Sequence, residues 1–385
     1  MRTLHVAALA HPTRQGTQAA LHSMLSALAQ AGHDTHLHCY PLHDGAGRGS
    51  GADYQVHRPA SALSPRSTRS GPSLEKLLLD ALLARDLRPL CARLEPDVVI
   101  AHHVEAAMCC LRLAKPVLFM AHTSLAAELP SYFSPRFAGP LRGMGEGLDR
   151  FLCRASTRAL AVSPLLADML AAQSARPVSA IRVPWTTPEP MSAEERAHAR
   201  RSLGLTSEHE VLLYAGNLDA YQDLDGLLEP LHRLARRRPQ LRWLIATESS
   251  SREFRRRLET AGLASRVMFA PLADEAQRRR VHAAAQLALV PRGAPGGLPI
   301  KLLDALARGV PVVTTRRASA GLGLPSAAVE WVDDAGSWEQ AIERVLSGQL
   351  PVTSLGRAYI EQAHSKERFV SDLIAHASVA QASHG

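Results

Sequence analysis

Residues 291–313, PRGAPGGLPIKLLDALARGVPVV, carry the most specific pattern in the chain. A Gly- and Pro-rich run leads into a helical pattern, which stops at Gly309 before a short Val-rich strand. The start of a helix exposes unpaired N–H groups and a partial positive charge. Lys301, in the first turn of this helix, adds a full positive charge. The stretch therefore predicts a binding site for an anionic group such as a phosphate.

Other residues of the same stretch suit such a site. Pro299 fits the first turn of a helix. A lysine in that turn opposes the helix dipole by roughly a few tenths of a kcal/mol, which an anionic ligand would offset. Arg292 can supply a second cation, and Asp304 is placed to accept hydrogen bonds from sugar hydroxyls. Gly296 and Gly297 belong to the same predicted site.

Short β-branched apolar runs alternate with helical patterns along the chain. This alternation is typical of parallel sheets with helical crossovers. Three prolines within residues 184–190 mark a linker between two such regions. The predicted strands are residues 4–9, 35–39, 98–101, 117–120, 159–162 and 180–183 before the linker, and 211–215, 241–245, 267–269, 287–290 and 310–314 after it. The sequence therefore predicts an α/β protein with two facing, Rossmann-like, doubly wound domains and a ligand cleft between them.

The predicted N-terminal domain covers residues 1–184, and the predicted C-terminal domain covers residues 185–355. A helical segment at residues 356–385 follows, and it can pack back on the N-terminal domain. Residues 44–72 fit neither domain, because they are rich in Gly, Ser, Arg and Pro and have no periodicity. They predict a long surface loop.

The composition is that of a globular protein, with 46% hydrophobic and 21% charged residues among 385. A formal net charge of +8 favours anionic partners. Aromatic residues make up only 4%, and no basic stripe is interleaved with them, which argues against nucleic acid. Five cysteines without a CxxC pair argue against a disulfide framework or a zinc site and favour a reducing cytoplasm. No apolar run is long enough for a membrane-spanning helix.

Two further loops follow predicted strands. In the first, Gly16 lets the backbone approach a ligand, and Thr17 can cap the next helix. The second follows the strand at residues 211–215 and reads GNLDAYQDLD. Glycine and asparagine are ordinary turn residues, so this loop is either a plain turn or part of the site. The residues assigned to the site in this loop are Gly216, Asn217, Tyr221 and Gln222.

Two patterns resemble metal sites. Asp223 and Asp225 spell DxD, but we interpret them as capping the start of a helix. His102, His103 and Glu105 cluster at the end of a strand without the HExxH order of a zinc site. We therefore predict no metal ion.

His122 follows the predicted strand at residues 117–120, which places it at the edge of the cleft. A lone histidine is more often structural, but loops at strand ends concentrate functional residues. Glu128, Tyr132 and Arg136 line either an acceptor pocket or an ordinary surface loop.

GGLPIKLLDALARGVPVVTT resembles the signature of the family 4 retaining glycosyltransferases, which have the GT-B fold. LAQAGHDTHLHCY, LAVSPLLADML and YAGNLDAYQDLDGLL are similar to other segments of that family. The resemblance extends over essentially the whole chain and is most specific in residues 214–315. Family members carry a Glu-x7-Glu pair, whose first acid contacts the donor sugar and whose second binds the nucleotide ribose. Asp304 stands at the second position and Gly296 at the first.

Many members have Arg and Lys after the first strand of the C-terminal domain, where this chain has Asn217 and Gln222. The chain is therefore similar to a branch with a G-N-L-x-x-Y-Q turn, in which a Pro-x-Lys pair makes the phosphate contact. The resemblance implies that His122 meets the reacting sugar, and that Lys301 and Arg292 stabilise the leaving phosphate. The residues implied to frame the diphosphate are Asn217, Tyr221 and Gln222.

The resemblance implies a metal-independent hexosyltransferase without a cofactor. It would move a sugar from a nucleotide diphosphate sugar, bound by the C-terminal domain, to a hydroxyl acceptor on the N-terminal side, with retention. The acceptor is a glycan, a lipid-linked molecule or a small molecule. Two alternatives stay open: a GT-B nucleotide-sugar epimerase or hydrolase, and a catalytically idle nucleotide-sugar-binding scaffold, which Gly296 suggests.

Residues 134–154 space four arginines among apolar side chains, partly at helical spacing. This pattern predicts peripheral contact with an anionic membrane from the cytoplasmic side. The other interpretation is that the apolar side packs on the N-terminal domain.

Overall fold

The computed structural model describes residues 1–12, 16–41, 53–60, 71, 73–293, 297–332, 338–349 and 351–384. Within these residues the chain forms two parallel β-sheets flanked by helices. The α/β prediction of two doubly wound, Rossmann-like domains is therefore confirmed.

The strands of the first sheet are β1 (Arg2–Ala10), β2 (Asp34–Tyr40), β3 (Gln55–His57), β4 (Val98–His102), β5 (Val117–Ala121), β6 (Arg158–Ala161) and β7 (Val178–Ala180). They pair in the order β3-β2-β1-β4-β5-β6-β7, and each pair is parallel. The strand order reverses between β1 and β4. Doubly wound sheets bind ligands beyond the carboxyl ends of the strands at such a point.

The strands of the second sheet are β8 (Glu210–Ala215), β9 (Leu241–Ala246), β10 (Val267–Ala270), β11 (Leu287–Val290), β12 (Val312–Thr315) and β13 (Glu330–Val332). They pair in the order β10-β9-β8-β11-β12-β13, again in parallel. Here the order reverses between β8 and β11, and the loops that follow these two strands carry most of the predicted site.

The helices before the linker are α1 (Gly16–Gln30), α2 (Leu74–Leu94), α3 (His103–Cys110), α4 (Leu125–Glu128), α5 (Ala138–Ala155) and α6 (Pro164–Ser174). Those after it are α7 (Ala193–Ser202), α8 (Leu228–Arg237), α9 (Arg252–Thr260), α10 (Glu275–Ala284), α11 (Ile300–Ala307), α12 (Trp338–Leu346), α13 (Thr353–Ala363) and α14 (Lys366–Ala382). A serine or aspartate side chain caps α2, α6, α7, α10 and α14. Each such cap stabilises its helix by about 1 kcal/mol.

Three strands differ from the prediction. β3 and β13 are three-residue strands at the edges of their sheets, too short to show an alternating pattern. β3 lies within residues 44–72, predicted as one long loop, and residues 42–52, 61–70 and 72 lie outside the described part. The strand predicted at residues 180–183 begins earlier, as β7.

The two C-terminal helices pack on different parts of the fold. α14 packs against α1, β4 and β5, where Phe369 and Leu373 are fully buried, and α13 packs against α11. The chain therefore crosses between the two sheets twice, and the two crossing segments bond to each other. The Trp185 main-chain N–H donates to the His364 carbonyl oxygen (2.8 Å), and His364 Nδ1 donates to the Val183 carbonyl oxygen (2.6 Å).

Candidate active site

Lys301 lies in the first turn of α11. Its ammonium group donates to the Tyr214 hydroxyl oxygen (3.0 Å) and to Gln222 Oε1, and it faces the Tyr214 ring at 4.5 Å. Both partners are neutral, because burial raises the pKa of Tyr214 well above its usual value. Burial and the nearby Arg292 guanidinium hold the pKa of Lys301 well below its usual value. An anion at this point would therefore stabilise the charged lysine.

The turn after β8 forms a hydrogen-bonded frame beside Lys301. Asn217 Nδ2 donates to the Tyr221 hydroxyl oxygen (2.9 Å) and to Asp219 Oδ2 (2.8 Å). Gln222 Nε2 donates to Asn217 Oδ1 (2.7 Å), and Gln222 is buried. The turn residues assigned from the sequence thus hold one another in place. Their contact with a diphosphate stays a prediction.

Two glycines allow the backbone to approach the cations closely. A Cβ atom on Gly216 would lie 3.1 Å from Lys301 Cε, and one on Gly297 would overlap the Arg292 guanidinium group. A larger residue at either position would displace the cation it touches. Gly296, also assigned to the site, lies outside the described residues.

Loops from the two sheets meet at this point. Thr123 follows β5, and its Cγ2 atom would lie 3.2 Å from a Cβ on Gly297. Thr123 Oγ1 donates to Glu128 Oε2 (2.5 Å), and the Tyr132 hydroxyl donates to the other carboxylate oxygen. Burial lowers the pKa of Arg292, while the Glu128 charge is among the influences that raise it. Glu128 and Tyr132, which the sequence left open between pocket and surface, therefore lie at the cleft.

Asp304 lies one turn after Lys301, but its carboxylate faces α10. Oδ1 accepts from Arg308 Nε (3.0 Å), and Oδ2 lies 3.3 Å from Arg278 Nη1 and 3.7 Å from His282 Nε2. Burial raises the pKa of Asp304, yet these three side chains keep it below its usual value. Asp304 therefore carries a buried negative charge that joins α10 to α11. The ribose contact assigned from the sequence stays a prediction.

His122 is buried beside other histidines and is not isolated. Its Nε2 atom lies 2.9 Å from His102 Nδ1, and its ring stacks on His103 with 4.5 Å between ring centres. Burial holds the pKa of His122 well below its usual value. The imidazole is therefore neutral, and no hydrogen bond within the described residues engages its Nδ1 atom.

Asp149, in α5, fixes the loop after β5, and the sequence analysis missed it. Its Oδ1 atom accepts from the Leu125 N–H (3.2 Å), and Oδ2 accepts from the Ala126 N–H (3.2 Å) and from Ser124 Oγ (2.9 Å). Asp149 is fully buried. Its position among the apolar residues of GLDRFLC was the signal in the sequence, because a buried acid needs such partners.

The start of α1 faces the start of α11. A Cβ atom on Gly16 would lie 3.7 Å from Ile300 Cγ1. The capping role predicted for Thr17 is wrong, because α1 already begins at Gly16 and Thr17 lies inside the first turn. Residues 13–15, which precede the helix, lie outside the described part.

The two aspartates of the DxD pattern have protein partners. Asp225 forms an ion pair with Arg257 (2.6 Å). Asp223 accepts a hydrogen bond from the Gly226 main chain, at the 3-10 turn Asp225–Leu227. Across the described ranges, no three His, Cys, Asp or Glu side chains are grouped as metal ligands.

Two family models match the chain, in separate regions. Glycosyltransferase Family 4 matches residues 14–183, and Glycosyl transferases group 1 matches residues 209–348. The chain is therefore similar to these glycosyltransferases in both of its sheets. The second region contains the whole second sheet, including the turn after β8 and the start of α11.

Curated relatives carry the name D-inositol 3-phosphate glycosyltransferase. The one from Segniliparus rotundus is 27% identical over 267 residues, which are 66% of this chain and 58% of the relative. The one from Mycobacterium sp. (strain KMS) is 30% identical over 270 residues, with the same coverage. The chain thus spans less than two thirds of the length of these relatives.

Solved structures share the fold of this chain at low identity. Sucrose-phosphate synthase from Thermosynechococcus elongatus has a TM-score of 0.81, with 14% identity and 100% of both chains covered. Anabaena HepE in complex with UDP-glucose has a TM-score of 0.75, with 15% identity and coverage of 98% of this chain and 100% of that chain. These likenesses confirm the GT-B fold.

A second surface of interest is formed by α5 and the residue before it. Phe137, Met144 and Phe151 are each about half exposed, at 48%, 52% and 47%. Their spacing of seven residues puts them on one outward face, whereas Leu152 is buried. Arg136 belongs to this surface and not to the cleft, because its guanidinium lies 4.9 Å from the Phe137 ring. We call Phe137, Met144 and Phe151, together with the exposed Arg136, Arg142 and Arg150, the α5 surface.

Proposed function

We propose that this chain is a retaining glycosyltransferase that moves a hexose from a nucleotide diphosphate sugar to a hydroxyl acceptor. The observation that carries the proposal is the Lys301 ammonium, held at the start of α11 by the neutral Tyr214 and Gln222. A buried ammonium with neutral partners is stabilised by an anionic ligand such as a diphosphate. The family 4-type domains supply the reaction class.

The bond that breaks joins the anomeric carbon of the sugar to a diphosphate oxygen. Negative charge develops on that oxygen, and Lys301, Arg292 and the N–H groups at the start of α11 would stabilise it. The acceptor hydroxyl oxygen bonds to the same carbon from the same face, and its proton passes to the leaving phosphate. The configuration is then retained without the pair of carboxylates that glycosidases use.

The two sides of the cleft would contact different parts of the substrates. On the C-terminal side, Asn217, Tyr221 and Gln222 would frame the diphosphate, and Asp304 would reach the ribose. On the N-terminal side, His122 and the Glu128 carboxylate would meet sugar hydroxyls. Thr123 and Tyr132 already hold Glu128 in position, so it can accept a hydroxyl without a costly rearrangement.

The relatives support this choice of substrates. The name D-inositol 3-phosphate glycosyltransferase describes sugar transfer, and the HepE structure contains UDP-glucose. UDP-hexoses are therefore the first donors to test. The acceptor class is a hydroxyl compound: a glycan, a lipid-linked molecule or a small molecule.

A donor and acceptor screen tests the proposal. The protein is incubated with UDP-, GDP- and ADP-hexoses, with and without polyol and glycan acceptors, and mass spectrometry identifies the products. Transfer that needs an acceptor, retains the anomeric configuration and is lost in Lys301→Ala is the expected result. Fast donor turnover without acceptor would indicate an epimerase or hydrolase, and donor binding without turnover would indicate an idle scaffold.

The proposed reaction needs no metal ion and takes place in the cytoplasm, beside an anionic membrane. The α5 surface supports membrane contact, because half-exposed apolar side chains flanked by arginines suit the boundary between headgroups and acyl chains. None of the described helices is both long and apolar enough to span a bilayer. Any contact by these helices is therefore peripheral.

A further inference from the structure

Three histidines form a continuous row through the first sheet. His122 follows β5, His102 ends β4 and His5 lies in β1, and these strands are neighbours. His122 Nε2 lies 2.9 Å from His102 Nδ1, and His102 Nε2 lies 2.9 Å from His5 Nδ1. The three side chains are 6%, 1% and 0% exposed. The row thus begins at the cleft and ends in the core.

All three imidazoles are neutral. Burial lowers the pKa of His5 to about 3 and holds the pKa of His102 and that of His122 well below the usual value. A positive charge on His103, whose ring stacks on His122, would lower the pKa of His122 further. A neutral imidazole has one N–H donor and one nitrogen acceptor. The two hydrogen bonds must therefore run in one direction along the row.

The environment of His5, at the buried end of the row, indicates the direction of these hydrogen bonds. His5 Nε2 is buried and has no hydrogen-bond partner among the described residues. If His122 donated to His102 and His102 to His5, the last proton would lie on this nitrogen, as a buried N–H without an acceptor. In the opposite direction His5 donates from Nδ1, and its Nε2 keeps only a lone pair. A buried N–H group without an acceptor is rarer in proteins than a buried acceptor without a donor.

We infer that His5 and His102 are positioning residues that hold His122 in the tautomer protonated on Nδ1. His122 then donates a hydrogen bond into the cleft and does not act as a base. A hydroxyl oxygen of a sugar is the matching ligand, and this part of the inference rests on the proposed function. The tautomer of His122 does not depend on the proposed function, so an experiment can contradict either one without the other.

Nitrogen NMR of the intact protein labelled with 15N-histidine tests the tautomer directly. The His122 signals are assigned by their loss in His122→Gln. We expect near neutral pH a neutral ring with the proton on Nδ1. A proton on Nε2, an equal mixture of tautomers or a charged ring would overturn the inference, whatever the activity of the protein.

His102→Leu removes the central member of the row. We expect His122 to become a mixture of tautomers, and turnover of the hexose donor selected in the screen to fall about threefold to tenfold, with little change in the KM for donor. The control is His57→Leu, because His57 pairs with His36 (3.0 Å) at the far edge of the same sheet. Equal losses in the two variants, or an unchanged tautomer in His102→Leu, would contradict a positioning role. Circular dichroism of each variant checks that it is folded.

Discussion

The Lys301 ammonium lies 3.0 Å from the Tyr214 hydroxyl oxygen and 4.5 Å from the centre of the Tyr214 ring. Tyr214 thus offers a hydroxyl dipole and a π face, and neither carries a full charge. A carboxylate in the same place would neutralise the lysine. The tyrosine holds the lysine in position without a countercharge, which an anionic ligand would supply.

Lys301→Ala should therefore weaken binding of the nucleoside diphosphate and spare the nucleoside. A charge-assisted hydrogen bond in a buried site is worth roughly 1.5–3 kcal/mol, which corresponds to a loss of about tenfold to a hundredfold in affinity. Calorimetry with the diphosphate and the nucleoside of the donor selected in the screen measures both effects. Lys366→Ala is the control, because the Lys366 ammonium bonds to the Gln30 side chain (2.9 Å), at the end of α1 opposite Gly16. Equal losses for diphosphate and nucleoside would contradict the phosphate assignment.

Asp304→Asn should destabilise the fold. The change removes the charge that Arg308 and Arg278 face and leaves their guanidinium groups partly unpaired. Breaking a buried ion pair from one side costs about 3–5 kcal/mol, so urea unfolding should show a loss of that order.

The same Asp304→Asn variant tests the ribose contact. If this carboxylate also binds the ribose, the preference for the nucleotide over its 2′-deoxy analogue, measured by calorimetry, shrinks in the variant. An unchanged preference together with the loss of stability would leave Asp304 with a structural role alone.

His5 should make the protein less stable as the pH falls. The pKa of His5 is about 3 in the folded state, against roughly 6.5 in an unfolded chain. Between these two pKa values, His5 is protonated in the unfolded chain and neutral in the folded protein. The free energy of unfolding therefore rises with pH between the two values, by at most about 1.4 kcal/mol per pH unit from this residue.

His5→Asn isolates this contribution, because an amide can replace Nδ1 without titrating. Urea unfolding between about pH 4 and pH 6 should show a shallower pH dependence in the variant than in the natural chain. His198→Asn, at an exposed site on α7, is the matched control. Parallel curves for all three proteins would rule out the contribution of His5.

Activity should survive EDTA. Lys301, Arg292 and the start of α11 are proposed to offset the phosphate charge, while Asp225 is engaged by Arg257. Rates with a chelator should equal those with added magnesium. Activity that disappears with EDTA and returns with magnesium or manganese would assign a ligand role to Asp223 and Asp225 after all.

The α5 surface should bind vesicles that contain anionic phospholipid. Binding should weaken with salt and in the double variant Arg142→Glu/Arg150→Glu, because the attraction is electrostatic. Sedimentation with vesicles of mixed neutral and anionic lipid measures it. Arg252→Glu/Arg256→Glu, on exposed positions of α9, is the matched control. No binding at low salt, or the same loss in both double variants, would exclude this surface.

Sequence patterns predicted the parts of the fold that depend on periodicity. Local sequence features predict the alternation of strands and helices, the proline-rich linker and the glycine-rich start of α11. β3 and β13 could not be, because three residues at a sheet edge carry no periodic signal.

The candidate site was predictable in its cations and not in its buried polar partners. Lys301 and the turn at residues 216–222 follow strands in the sequence, and the structure brings them together. Asp149 and His5 lie far from that stretch in the chain, and only the packing of α5 and the pairing of β1 with β4 connect them to residues at the cleft. The Asp304 carboxylate faces α10 because it contacts Arg278 there. No local sequence pattern around Asp304 predicts this contact.

The position of α14 has a consequence for how the chain folds during synthesis. This helix covers β4 and β5 of the first sheet, with Phe369 and Leu373 fully buried there. It leaves the ribosome only after the whole second sheet has been made. The apolar face of the nascent first sheet therefore stays exposed while more than a hundred further residues are synthesised. Chaperones can bind this face until residues 366–382 have been made and cover it.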